Sequence, residues 1–160
     1  MRRRFTLPAL LLLLTAPFTH LAHALEAAPS FTLEGISAQV DLTDYKGKVV
    51  YLDFWASWCV PCRKSFPWMN QLKEFYGERG LEVIAINLDQ ERKLADAFLA
   101  DTPATFTIAF DPQGQSAEDY QVMGMPSSYL IDRNGILHHS HVGFRDKDKA
   151  ALESQIEELL

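Results

Sequence analysis

Residues 49–65, VVYLDFWASWCVPCRKS, hold a buried-strand pattern, the chain's only two cysteines and the start of a helix. From Val49 to Trp55, β-branched and aromatic residues occupy both alternating faces, which predicts a central strand buried on each side. Asp53 alone interrupts that run. A helix is expected to begin around Cys59 to Pro61 and to reach about Arg79. Proline is accepted in a first turn, and Met69, Leu72 and Tyr76 share one face. Pro67 predicts a kink in it, and Gly80 fits its C-terminus.

The rest of the chain alternates in the same way. Phe31-Thr32-Leu33 and Gln39 to Leu42 read as short strands around a Gly35 turn, and Leu81 to Leu88 as a second apolar strand. Glu91 to Ala100 reads as a helix with Leu94 and Phe98 one turn apart. Phe106 to Phe110 reads as a strand, followed by the Asp111-Pro112-Gln113-Gly114 turn and a short helix near Ala117 to Gln121. Ser127 to Ile131 and Ile136 to Val142 flank Asp132-Arg133-Asn134-Gly135, a hairpin signal. Asp146 or Asp148 is expected to cap a last helix, in which Leu152, Ile156 and Leu159 are spaced i, i+4, i+7. This order predicts a three-layer α/β domain.

The N-terminus bears on the cysteines. Arg2, Arg3 and Arg4 precede a leucine-rich run from Leu7 to Leu14, and Ala22-His23-Ala24 reads as a small-x-small cleavage site. Residues 1–24 are therefore expected to be a secretory signal peptide cleaved after Ala24, with the domain at 25–160 and a periplasmic destination. An uncleaved anchor is the alternative, but the apolar run is about half of a ~20-residue membrane span. The chain carries 15 basic and 21 acidic residues, a net charge of −6. Without the three leader arginines the balance is −9, which argues against nucleic acid as a partner.

In an oxidising compartment, one close cysteine pair is no disulfide framework. A zinc site would need two more strong ligands at suitable spacing, and no second cysteine pair exists. A staple across a two-residue gap removes little loop entropy. Redox chemistry remains. At a helix N-terminus, unpaired N–H groups and the helix dipole favour thiolate on Cys59, and Cys62 lies one turn further in, within bonding range. Cys59 is then the attacking sulfur and Cys62 the one that resolves the mixed disulfide. A carboxylate is expensive inside a central strand, so desolvation is expected to raise the pKa of Asp53 and equip it to accept the Cys62 proton. The alternative is that Asp53 is structural and reaches a backbone donor or water. Pro126, after Gly124-Met125, opens a strand; local propensity favours a trans bond, and a cis bond in a tight turn is the alternative.

Trp58-Cys59-Val60-Pro61-Cys62 after a buried strand, Pro67 five residues past the second cysteine, and Met125-Pro126 before the hairpin resemble the thioredoxin superfamily. More narrowly, PSFTLEG…VDLTDYKGKVVYLDFWASWC and YLIDRNGIL resemble the exported thiol–disulfide oxidoreductases of the TlpA/ResA kind. The resemblance implies a thioredoxin-like three-layer sandwich with an N-terminal strand extension and a central insertion at about Glu91 to Phe110. It implies the same roles for Cys59 and Cys62, a cis Met125–Pro126 bond across from the pair, and substrate contacts at Trp58, Pro61, Met125 and Pro126. It implies protein partners bearing disulfides or dithiols, a membrane-bound electron donor and work in the reducing direction; no cofactor and a monomer are expected. Where many relatives carry glutamate three residues after the second cysteine, this chain has Ser65. Asp53 matches the buried aspartate of thioredoxin, and Ala85 stands where thioredoxin places a nearby lysine.

Two rival readings share these features. A peroxidase of peroxiredoxin type would share the PxF…L…YKGK lead-in, but its Pro-x-x-x-Thr/Ser-x-x-Cys pattern is absent before Cys59. A copper- or zinc-binding carrier could use His138, His139 and His141 with the thiolates. Strand alternation puts His139 and His141 on one face and His138 on the other, so no metal site is assigned.

Overall fold

The computed structural model describes residues 26–160. The expected leader and its cleavage site lie outside those residues. An eight-stranded sheet runs in the order β1-β8-β7-β4-β5-β6-β2-β3. Its central strands are β4 (Val49–Trp55), β5 (Leu81–Asn87), β6 (Thr107–Phe110) and β7 (Ser127–Ile131), and all seven residues of β4 are buried. Parallel pairing joins β4 to β5 and β5 to β6, while β7 and β8 (Ile136–Val142) run antiparallel on the other side of β4. The N-terminal strands close both edges. β1 (Glu26–Ala27) pairs with β8, and the hairpin of β2 (Thr32–Gly35) and β3 (Gln39–Asp41) adds to β6.

Alternation along β4 divides the core. Val49, Tyr51 and Trp55 face one layer together with α1 (Cys62–Tyr76), α2 (Arg92–Asp101) and α4 (Lys149–Leu159), whose Phe66, Met69, Phe98, Leu152 and Ile156 fill it. Val50, Leu52 and Phe54 face the opposite layer, where Phe31, Leu42, Tyr120 and Tyr129 pack beside α3 (Gln115–Asp119). Two opposed faces of one strand, each covered, make the three-layer sandwich. The stretch from Glu91 to Phe110 supplies α2 and β6.

Several local expectations need correction. The first regular turn of α1 starts at Cys62, with Pro61 as its N-cap, so Cys59 lies in the turn before the helix rather than in it. Its regular turns stop at Tyr76, short of Arg79, and a 3₁₀ turn and Gly80 at φ 105° finish it. In α2 the inward face is Ala95 and Phe98, while Leu94 is exposed. The short helix α3 ends at Asp119, because Gln121 takes a positive φ of 54° and Val122 donates back to the Ala117 carbonyl, a reversal typical of helix C-termini. Asp148 occupies the N-cap position of α4, but its side chain makes no capping bond and holds Arg145 instead.

Candidate active site

The sheet delivers its chemistry at one end. Strand β4 stops at Trp55, and the turn Ala56–Cys59 is closed by the Cys59 N–H donating to the Ala56 carbonyl at 3.0 Å. Helix α1 begins three residues later. Cys59 and Cys62 form a disulfide, with Cα atoms 5.4 Å apart. The Cys62 N–H donates to Cys59 Sγ at 3.3 Å, so an unpaired donor of the helix start is aimed at the first sulfur. Two basic residues, Arg63 and Lys64, are exposed in that turn, and it holds no acidic residue. Cys62 is fully buried and Cys59 nearly so.

The surroundings of the pair differ sharply in exposure. Trp58 is 67% exposed and Val60 is also out in solvent, while Pro61 is half-buried. On the neighbouring strand, Phe54 pairs with Ser127, which sets Pro126 at the same end of the sheet as Trp55. The Met125–Pro126 bond is cis, as the resemblance implied and against the local default. The Pro126 carbonyl accepts from the Gly143 N–H at 2.7 Å, and half-buried Met125 packs against the cluster that contains both cysteines. Trp58, Pro61, Met125 and Pro126 therefore collect around one end of the sheet with the sulfurs.

Asp53 lies on the α1 side of β4, two residues before Trp55 on the same face. It is 1% exposed, and its Oδ2 has no hydrogen-bond partner among the described residues. Burial holds its carboxyl well above the usual carboxylate range. The residue opposite on β5 is Ala85, which offers no charge, and Ser128 pairs with it on β7. Burial also raises the Tyr51 hydroxyl, with the nearby Asp53 charge adding to it. Ser65, in place of a glutamate, is buried and donates to the Cys62 carbonyl at 3.1 Å. Asp53 is thus the buried acid on the disulfide side of β4.

His138, His139 and His141 do not join this site. The β7–β8 register slips by one residue between Leu130 and Ile131, and the extra residue, His138, turns to Asp132 at 3.0 Å. His139 and His141 line a cavity of about 10 Å³ with Tyr51, Ser128 and Leu152, and His141 Nε2 lies 3.6 Å from Asp148. Among the described residues no group of three or more His, Cys, Asp or Glu is placed to hold a metal ion. One part of the site is only weakly marked in the sequence. The Asp89 carboxylate, just past β5, accepts from both the N–H and the hydroxyl of Ser57, each at 2.8 Å. The only sequence signal was an Asn87-x-Asp89 ending on an apolar strand.

Comparison with known proteins agrees with this geometry. The Redoxin family model matches residues 24–160. The thiol-disulfide oxidoreductase ResA of Geobacillus thermodenitrificans is 37% identical over 130 residues, covering 79% of this chain and 75% of that protein. The ResA of Oceanobacillus iheyensis is 39% identical over 115 residues, or 69% of this chain, and that match spans 60% of the relative's own length. A Chlorobium tepidum protein assigned as a thiol:disulfide interchange protein, DsbE, superposes with a TM-score of 0.83 at 56% identity. That alignment covers 84% of this chain and 95% of the other.

Proposed function

Because the chain belongs to the Redoxin family and is a thiol–disulfide oxidoreductase, we propose that it reduces disulfides in protein substrates, with Cys59 as nucleophile and Cys62 as resolving thiol. The observation that carries the assignment of roles is the Cys62 N–H on Cys59 Sγ at the first turn of α1. That donor and the helix end favour a thiolate on Cys59 and do nothing comparable for Cys62.

In the reduced protein the Cys59 thiolate attacks one sulfur of a substrate disulfide, and the other substrate sulfur leaves as a thiolate that takes up a proton. The product is a mixed disulfide through Cys59. Cys62 gives its proton to the carboxylate of Asp53 and attacks Cys59 Sγ, which expels the second substrate thiolate. Two electrons pass to the substrate, and the Cys59–Cys62 disulfide is left. A dithiol donor must then reduce it again. A carboxyl whose pKa burial has raised holds a proton more readily than an exposed one. Trp58, Pro61, Met125 and Pro126 form the surface against which the substrate segment lies.

The setting follows from the same reading. Residues 1–24 direct export and are removed after Ala24, the domain at 25–160 works as a monomer in the periplasm, and a membrane-bound dithiol protein supplies electrons. Among the described residues no helix is long and apolar enough to cross a membrane. The direction of exchange is tested by equilibrating the protein with glutathione redox buffers. A reductase has a potential nearer the ~−270 mV of thioredoxin than the ~−120 mV of a strong disulfide oxidant. A value at the oxidising end reverses the assigned direction.

A further inference from the structure

We propose that Asp89 and Ser57 form a clamp that holds Cys59 at the N-terminus of α1 when the disulfide is open, making Asp89 and Ser57 positioning residues for disulfide exchange. This rests on Cys59 being the nucleophile. The clamp is built from both sides. Asp89 Oδ2 accepts from the Ser57 N–H and Asp89 Oδ1 from the Ser57 hydroxyl, both at 2.8 Å. Asn87 fixes the carboxylate in turn: its Nδ2 donates to Asp89 Oδ2 at 2.8 Å, and its Oδ1 accepts from the Asp89 N–H at 3.1 Å. Asn87 and Asp89 are both buried. The backbone around them is also tied down, since Leu88 N–H donates to the Trp55 carbonyl and Asp111 N–H to the Asn87 carbonyl.

Ser57 is the second residue of the turn that ends at Cys59. A four-residue turn closed by one 3.0 Å bond has little stiffness of its own. In the oxidised protein the covalent bond to Cys62 holds Cys59 in place. In the reduced protein that bond is gone, and what keeps Cys59 Sγ facing the Cys62 N–H is the turn. Two charge-assisted bonds from a buried, fully engaged carboxylate restrict that turn. They therefore preserve the contact that favours thiolate over thiol.

The clamp and the bare charge of Asp89 predict opposite effects, which makes them separable. A carboxylate near a sulfur disfavours thiolate. If charge dominated, removing Asp89 would make Cys59 more reactive in mild acid. If the clamp dominates, loosening it makes Cys59 less reactive there. Ser57→Ala keeps the charge and deletes one of the two bonds; Asp89→Ala deletes both. The experiment is the pH–rate profile of iodoacetamide alkylation of the reduced protein, with the labelled cysteine identified by mass spectrometry. Ser57→Ala is expected to slow Cys59 labelling at pH 6 by roughly threefold or more, the worth of one such bond, with no change at pH 10. Asp89→Ala is expected to slow it further. A lowered melting temperature with an unshifted pH profile in both variants would show the network to be structural only. Faster labelling in Asp89→Ala would assign Asp89 a purely electrostatic effect, and either result overturns the clamp. If wild type labels first at Cys62, the nucleophile assignment fails instead, and the two failures are told apart by the labelled residue.

Discussion

Asp53 is a costly residue in its place: buried, facing Ala85, with one carboxylate oxygen that meets no donor among the described residues. Its burial raises the folded pKa above the unfolded value near ~3.9. Below the unfolded pKa the group is neutral in both states and carries no penalty. As pH rises the unfolded chain ionises first, so stability is lost progressively until the pH passes the folded pKa. Asp53→Asn removes the ionisable group at nearly constant shape. The variant is expected to match wild type in acid and to exceed it at neutral pH by about 1–3 kcal/mol, measured by urea denaturation of the oxidised protein across pH. In turnover, release of the mixed disulfide by Cys62 is expected to slow while the first attack does not. A variant that is less stable at neutral pH and resolves normally would make Asp53 a structural residue. A charge inside VVYLDFW was legible as an anomaly from sequence alone. That uncharged Ala85 faces it was suggested only by resemblance, because Ala85 lies 32 positions on, across a helix.

At the scale of elements, the segments set by one strong local pattern came through nearly unchanged. The buried run of β4 and the turn between β7 and β8 give strands at Val49–Trp55, Ser127–Ile131 and Ile136–Val142, as the alternation and the Asp132–Gly135 turn predicted. Boundaries set by tertiary contact did not. In α2 the pairing of Leu94 with Phe98 chose the wrong stripe. The helix instead lies down on Phe98, whose ring sits 4.6 Å from Trp55 and 4.9 Å from Phe66, with Arg63 stacked on it at 4.7 Å. This aromatic group is also the floor under the cysteine turn, since Trp55 is the last residue of β4 and Phe66 belongs to the helix that Cys62 opens. Phe98→Ala is expected to cost about 3–5 kcal/mol and Leu94→Ala less than ~1 kcal/mol, both by chemical denaturation. Equal losses would mean that α2 packs on the face the sequence suggested.

At the scale of the whole molecule, the fold brings four separate stretches to one end of a sheet: the turn after β4, the start of α1, the Asn87–Asp89 end of β5 and the Met125–Pro126 entry to β7. The first and second adjoin in sequence, and their geometry was readable there, down to which sulfur faces the helix end. The third was not, because the Ser57–Asp89 contact spans 32 residues and neither partner is unusual by itself. Nor was the sheet order, in which the β2–β3 hairpin crosses to the far edge to pair with β6. All of this bears on the proposed asymmetry, in which the first sulfur, facing the Cys62 N–H, attacks and the second resolves. The most direct test is trapping. Reduced Cys62→Ser and Cys59→Ser variants are each incubated with a small protein carrying one exposed disulfide, quenched in acid, and analysed by mass spectrometry. Cys62→Ser is expected to accumulate a mixed disulfide on Cys59, and Cys59→Ser none. Accumulation on Cys62 in the Cys59→Ser variant, with none in the other, would contradict the assignment of nucleophile and resolving thiol.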